Sequence, residues 1–195
     1  MANSKRKCRY CGEYKDVEGM IKVPLGYFCD YEHASLHAIK KSKAVSAKSE
    51  RKKQAEKKRS LLTARDWTKK AQAAVNAYVR LRDMGKPCIS CGAMPENKLG
   101  GTVDAGHYRS RGAASHLKFN LYNINGQCVK CNRYNSGNAV DYRIGLIDKF
   151  GIDIVERLEN DNEPRKFTIE YLQRVQKIFL KRVRHLKKLR GLSHV

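Results

Sequence analysis

Two Cys-x-x-Cys pairs, Cys88/Cys91 and Cys128/Cys131, enclose the run Asp104-Ala105-Gly106-His107, and Asn132 follows the last cysteine directly. Two such pairs can close one tetrahedral zinc site with no open position, which makes it a structural site. Closing it would bring a histidine and an asparagine, distant in sequence, onto one small scaffold. A histidine that activates water beside an asparagine that holds a divalent cation is an arrangement able to cut phosphodiesters. Residues 92–127 are more chain than a simple zinc ribbon needs, so something folded must sit between the pairs.

A second cluster lies at the N-terminus. Cys8/Cys11 precede a short aliphatic and Gly/Pro stretch from Met20 to Gly26, then come Cys29 and His33. This reads as a hairpin between two ligand pairs, a small zinc knuckle, with residues 29–33 opening a helix. His37, one helical turn on, competes with His33 as fourth ligand. Seven cysteines are an odd number for a disulfide framework. With no apolar stretch behind the basic N-terminus, a signal peptide is not expected, and a reducing cytoplasm is the natural home.

The balance of 41 Lys plus Arg against 19 Asp plus Glu leaves a net charge of +22. Such an excess attracts polyanions by counterion release and speeds encounter with them. No apolar run reaches membrane-spanning length and no large apolar helix face offers itself for insertion, so nucleic acid is the expected partner and a membrane is not. At 41% hydrophobic residues the core is modest, and zinc can supply part of what burial does not.

The elements that must position these groups read as four pieces: a zinc-knuckle module over 1–37, a basic helix or linker over 38–62, the chemical core over 63–160, and a basic C-terminal helix over 161–195. Ten of the residues from Lys40 to Arg59 are basic, against Glu50 and Glu56, with almost no apolar anchor. That segment is either an exposed helix or a linker that orders on a polyanion. Trp67, Ala71, Ala74, Val75, Tyr78, Val79 and Leu81 recur near a 3.6-residue period and predict an amphipathic helix over 63–86, stopped by Gly85 and Pro87. The central insert, from Thr102 through His107 to Asn123–Gln127, predicts a β-hairpin whose long loop carries Ser110 to Ser115, then a helix starting near Cys131. Val140–Phe150 and Ile152–Leu158 predict two short helices broken at Gly151. Thr168 caps a last helix in which Ile169, Leu172, Val175, Phe179, Val183 and Leu186 share a face. That helix can pack on the body, pair with a second subunit or lie along DNA.

The ββα pattern with cysteine pairs at its ends resembles the zinc-containing HNH, or His-Me finger, nucleases. Asp-Ala-Gly-His-Tyr-Arg, then Gln-Cys-x-x-Cys-Asn and Ser136-Gly137-Asn138, are narrower. With the N-terminal cluster, the basic segment and the Trp67 helix, they resemble the lambdoid phage NinG (Rap) family over nearly the whole chain. The resemblance implies an α+β fold: a ββα-metal core with a four-cysteine zinc, flanked by helices, plus the N-terminal knuckle. It implies a DNA endonuclease acting on branched recombination intermediates, Holliday junctions and D-loops, in the host cytoplasm of a bacteriophage. His107 falls on the general base, Asn132 on the metal ligand early in the helix, and Asn123 on the residue that braces the loop. One Mg²⁺ or Mn²⁺ would sit on Asn132, beside the two structural zincs. The HNH nucleases usually have Asp, Glu or His immediately before the base, where this chain has Gly106. Asp104 is the nearest carboxylate; it reaches the metal if the strand bulges at the glycine, or else orients a neighbouring side chain while water fills the gap. Arg109, Arg111 and Lys130 are near enough in sequence to clamp phosphates. A homodimer with two active sites would suit a four-way junction. The competing readings are a non-catalytic zinc module that binds nucleic acid and, behind it, an RNA-directed nuclease of the same fold.

Overall fold

The computed structural model describes residues 4–95 and 103–192. Thr102, the expected start of the first strand of the insert, lies outside them. The chain divides into two compact units, Met1–Leu61 and Leu62–Val195.

In the first unit β1 (Lys5–Lys7) pairs antiparallel with β2 (Tyr14–Asp16), and β3 (Ile21–Val23) with β4 (Gly26–Phe28). Pro24 and Leu25 form the tip of the second hairpin, which closes on Gly26 at φ +125°, a region that disfavours any side chain. Helix α1 (Tyr31–Ser60) follows at once, with Asp30 as its N-cap accepting from the His33 N–H at 2.7 Å. The open question over the basic segment resolves as helix. Lys, Ala, Glu and Gln are good helix formers, and α1 buries no residue.

The second unit is built on α2 (Ala64–Arg82). Thr63 and Asp66 form a reciprocal capping box, so the helix starts one residue after its cap. Trp67, Ala71, Val75 and Val79, four residues apart, bury one stripe against Leu172, Val175 and Phe179 of α5 (Ile169–Leu189). The C-terminal helix packs its apolar face on the body, one of the three roles open to it. The helix stops at Arg82 because the next side chain, Asp83, is drawn inward, where it accepts the Gly126 N–H at 2.8 Å.

β5 (Val103–His107) and β6 (Ile124–Cys128) form the predicted hairpin, with Asp104 opposite Gln127 and Gly106 opposite Asn125. The expected helix near Cys131 needs correction. Residues Lys130–Tyr134 make one wide turn, closed by Asn135 N–H on the Lys130 carbonyl at 2.9 Å, and regular helix begins only at α3 (Ala139–Phe150). Ser136, Gly137 and Asn138 all take positive φ, which no continuing helix tolerates. Gly151, at φ +83°, separates α3 from α4 (Ile152–Asn160). A second core of Ala114, Leu117, Tyr142, Leu146, Val155 and Leu158 lies beneath these two helices. The Cys88–Cys91 turn rests on α3 at Gly145, where an added Cβ would meet the Ile89 carbonyl oxygen at 1.9 Å.

Candidate functional site

Both cysteine groups converge. Cys88, Cys91, Cys128 and Cys131 offer four sulfurs within 4.8 Å of one another, and Cys8, Cys11, Cys29 and His33 do the same with three sulfurs and a ring nitrogen. Zinc–ligand bonds of about 2.3 Å to sulfur and 2.0 Å to nitrogen put tetrahedral neighbours about 3.5–3.8 Å apart. Cys91 and Cys128 stand 3.9 Å apart, Cys11 and Cys29 3.6 Å, and the Cys8 sulfur 3.7 Å from His33 Nδ1. Both groups could hold zinc. His37 is not among the converging ligands; its ring packs on Phe28 at 5.2 Å.

The electrostatics fit a cation. Burial alone would raise the Cys8 thiol, but N–H groups of Cys11, Tyr10 and Cys29 outweigh it and bring it to about 6. Burial likewise opposes the N–H groups of Cys128 and Cys91 at Cys88, and the thiol still falls below its ordinary value. Cys131 is pushed up to about 12, by burial first and then by neighbouring sulfurs. Crowded thiols resist joint ionisation unless a divalent ion sits among them.

The hairpin places His107 and Asp104 along the wall of a single cleft of about 470 Å³, with Asn132 and Arg133 opposite on the wide turn. His107 Nε2 lies 3.3 Å from the Lys118 carbonyl oxygen. A carbonyl only accepts, so this contact suits a proton on Nε2, whereas the Gln72 amide nitrogen, a donor 3.5 Å from the same atom, suits a lone pair there. Burial, helped by the Arg111 charge, holds the imidazole below the ordinary histidine value, while the Lys118 and Ala105 carbonyls pull the other way. The ring is therefore neutral at pH 7.

Asp104 accepts from Asn132 Nδ2 at 2.9 Å and from Arg133 at 2.7 and 2.9 Å. The Arg133 guanidinium is the main cause that holds its carboxyl below the usual range, with Asn132 and the Arg80 charge adding to it. Asn123, fully buried, accepts from the Arg109 N–H at 2.8 Å and donates to the Arg109 and Leu117 carbonyls. It ties both ends of the loop that follows the base.

Gly106 has a steric reason. A Cβ there would stand 2.2 Å from Gln127 Oε1, and Gln127 is fully buried, donating to Ser90 Oγ and the Gly137 carbonyl. That amide links the Cys88–Cys91 turn to the segment after Cys131, and no carboxylate shares the space.

The expected phosphate contacts are redistributed. Arg111 lines the cleft. Arg109 does not; its guanidinium donates to the carbonyls of Leu158, Glu159 and Asp161 and to Asn162 Oδ1, capping the C-terminus of α4. Lys130 is exposed on the wide turn and is not among the cleft residues. In their place stand Arg133 and, from α2, Asn76 and Arg80. The signal was present in sequence: Gln72, Asn76 and Arg80 make a polar stripe at four-residue spacing on an otherwise apolar helix side. Gln72 is 5% exposed; its amide nitrogen lies 2.8 Å from Asn76 Oδ1 and 3.5 Å from His107 Nε2. Asp83 is a second residue that sequence reading missed. Buried at 3% exposure, it gathers Arg82, Lys86 and Lys149 behind β6.

A family model described as "NinG: Bacteriophage Lambda NinG protein" matches residues 1–189. The chain is 41% identical over 125 residues to "Protein ninG" of Escherichia phage lambda, covering 64% of this chain and 59% of that one. It is 41% identical over 125 residues to the protein of that name from Salmonella phage P22, covering 64% and 60%. Against that of Enterobacteria phage H19B it is 45% identical over 104 residues, covering 53% and 50%. The matched region thus spans about 60% of the first two relatives. No solved structure matches the chain. A match over residues 1–189, nearly the whole length, places the chain in the NinG family.

Proposed function

We propose that the protein is a metal-dependent endonuclease that hydrolyses phosphodiesters in branched DNA, within the HNH group. What supports this most is one convergence. A neutral histidine, a carboxylate, two amides (Asn76 and Asn132) and three arginines (Arg80, Arg111 and Arg133) line a single open cleft on a hairpin flanked by four converging cysteines. Asp104 and Asn132 are hard oxygen ligands of the type Mg²⁺ or Mn²⁺ prefers. When bound there, the ion would neutralise charge on the scissile phosphate and the leaving oxygen. His107 takes a proton from water through the unprotonated nitrogen of its neutral ring. Arg111 and Arg80 hold the flanking phosphates, and Arg133 moves between Asp104 and the substrate backbone. Asn123 keeps the loop after the base at fixed height. Branched substrates, a homodimer and the bacterial cytoplasm follow from the family resemblance.

The second reading, a zinc module that binds nucleic acid without cutting it, draws on one observation: both Asp104 oxygens are already engaged by Arg133 and Asn132. Incubating a labelled four-way junction and a linear duplex of the same sequence with Mg²⁺ or Mn²⁺ separates the two. Cutting of the junction, lost in His107→Ala while binding persists, is the expected result. Tight binding without cutting in either metal establishes the binder.

A further inference from the structure

Residues 115–120 have two sides. One presents the Lys118 carbonyl to His107. The other borders a separate cavity of about 400 Å³, whose walls include Phe119, Phe167, Tyr171, Asn120, Asp161 and Arg165. The volume lies in the range of small-ligand sites. The rings are preset: Phe119 meets Phe167 edge to face at 5.2 Å, and Phe167 stacks on Tyr171 at 5.2 Å. Arg165 lies 5.4 Å from the Phe167 centroid and 5.0 Å from that of Tyr171, and Lys118 Nζ stands 5.4 Å over Phe167. The floor is tied by His116, whose Nε2 donates to the Asp161 carbonyl at 2.7 Å.

We infer that this cavity receives one unstacked nucleobase of branched or single-stranded DNA, bound beside the strand that enters the cleft. The inference rests on DNA being the substrate. Aromatic faces and a guanidinium plane stack on any base, and each stacked base contributes about 1–3 kcal/mol by alanine substitution. Asn120 and Asp161 offer a donor and acceptors to a base edge, and Arg165 at the wall and Lys118 above Phe167 would offset the carboxylates of Asp161 and Glu163 toward an adjoining phosphate. A linear duplex must unstack and unpair a base to fill the site, at a cost of a few kcal/mol, whereas a branch point or single strand has one available. The cavity therefore selects branched over linear DNA, and Lys118 joins it to the base that cuts.

The test uses full-length zinc-loaded protein carrying His107→Ala and a four-way junction with 5-iodouracil placed singly at the branch point or inside an arm. Photocrosslinks from the branch-point position to Phe167 or Tyr171, absent from the arm position, are expected. Arg165→Ala, at an exposed residue, and Phe167→Leu, which keeps apolar bulk, should each weaken junction binding about tenfold and linear-duplex binding less than twofold. Equal losses on both DNAs, or crosslinks only outside the cavity, overturn the inference. Cleavage by the unsubstituted protein is scored separately. If it cuts the junction while crosslinks map elsewhere, the cavity proposal alone falls. If the protein neither binds nor cuts DNA, the nuclease reading falls and the cavity proposal with it.

Discussion

His107 is neutral because burial disfavours its charged form, and that sets a pH signature. The base works when unprotonated, so cleavage should stay level as pH falls through about 6.5 and decline only below the depressed value. A pH–rate profile at saturating junction reads this directly; a break above pH 7 would remove His107 from the role. His107→Ala should lower the rate about 10²–10⁴-fold with junction affinity retained. Gly106 is a packing residue beside the chemistry. Gly106→Ala drives a methyl into the buried Gln127 amide and should cost about 1–3 kcal/mol, seen as a lowered melting temperature. Gln72 is at the same scale: truncation to Ala removes the amide nearest the imidazole and should lower kcat more than substrate affinity.

At the scale of elements, the two cysteine groups act where burial is thin. Each unit has short strands; at the hairpin Ile124 of β6 is fully buried, as is Tyr142, whose hydroxyl donates to the Gly106 carbonyl at 2.9 Å. Two zinc equivalents per chain are expected by metal analysis, falling to one in Cys11→Ser. Cys131→Ser should remove the other and lower the thermal stability of the second unit, since metal binding and folding are coupled there. Gly145→Ala offers a metal-independent probe of the same joint. Its methyl meets a backbone carbonyl rather than a rotatable side chain, so it should destabilise more than Gly106→Ala.

For the whole molecule, positive charge lies in the cleft, along α5 and along α1, an exposed helix of thirty residues. Each phosphate neutralised adds to the salt dependence of binding. Replacing Lys52, Lys53, Lys57 and Lys58 of α1 by alanine should flatten the log–log salt slope of DNA affinity by up to about 3–4 and leave the cleavage rate at saturation unchanged. An unchanged slope, measured by fluorescence anisotropy across a salt series, would assign α1 to spacing alone. Among the described residues no helix is long and apolar enough to cross a membrane.

Much of this was legible in the chain itself. Cysteine spacing, the Trp67 stripe, Gly151 and the Thr168 cap locate knuckles and helices because metal ligation, helical periodicity and caps are local properties, encoded within a few residues. Asn132 was nameable because it directly follows Cys131, and His107 and Asp104 because their run resembles the HNH pattern. Tertiary structure alone decided the rest. Arg109 turned to the carbonyl end of α4, and Arg80 came into the cleft from a helix more than twenty residues upstream of the hairpin. Gly106 proved to be the room required by Gln127. Long cationic side chains go to whichever acceptors the packed elements bring within reach, and a glycine's reason lies in what packs against it. Neither is set by neighbours in sequence, so both had to wait for the fold.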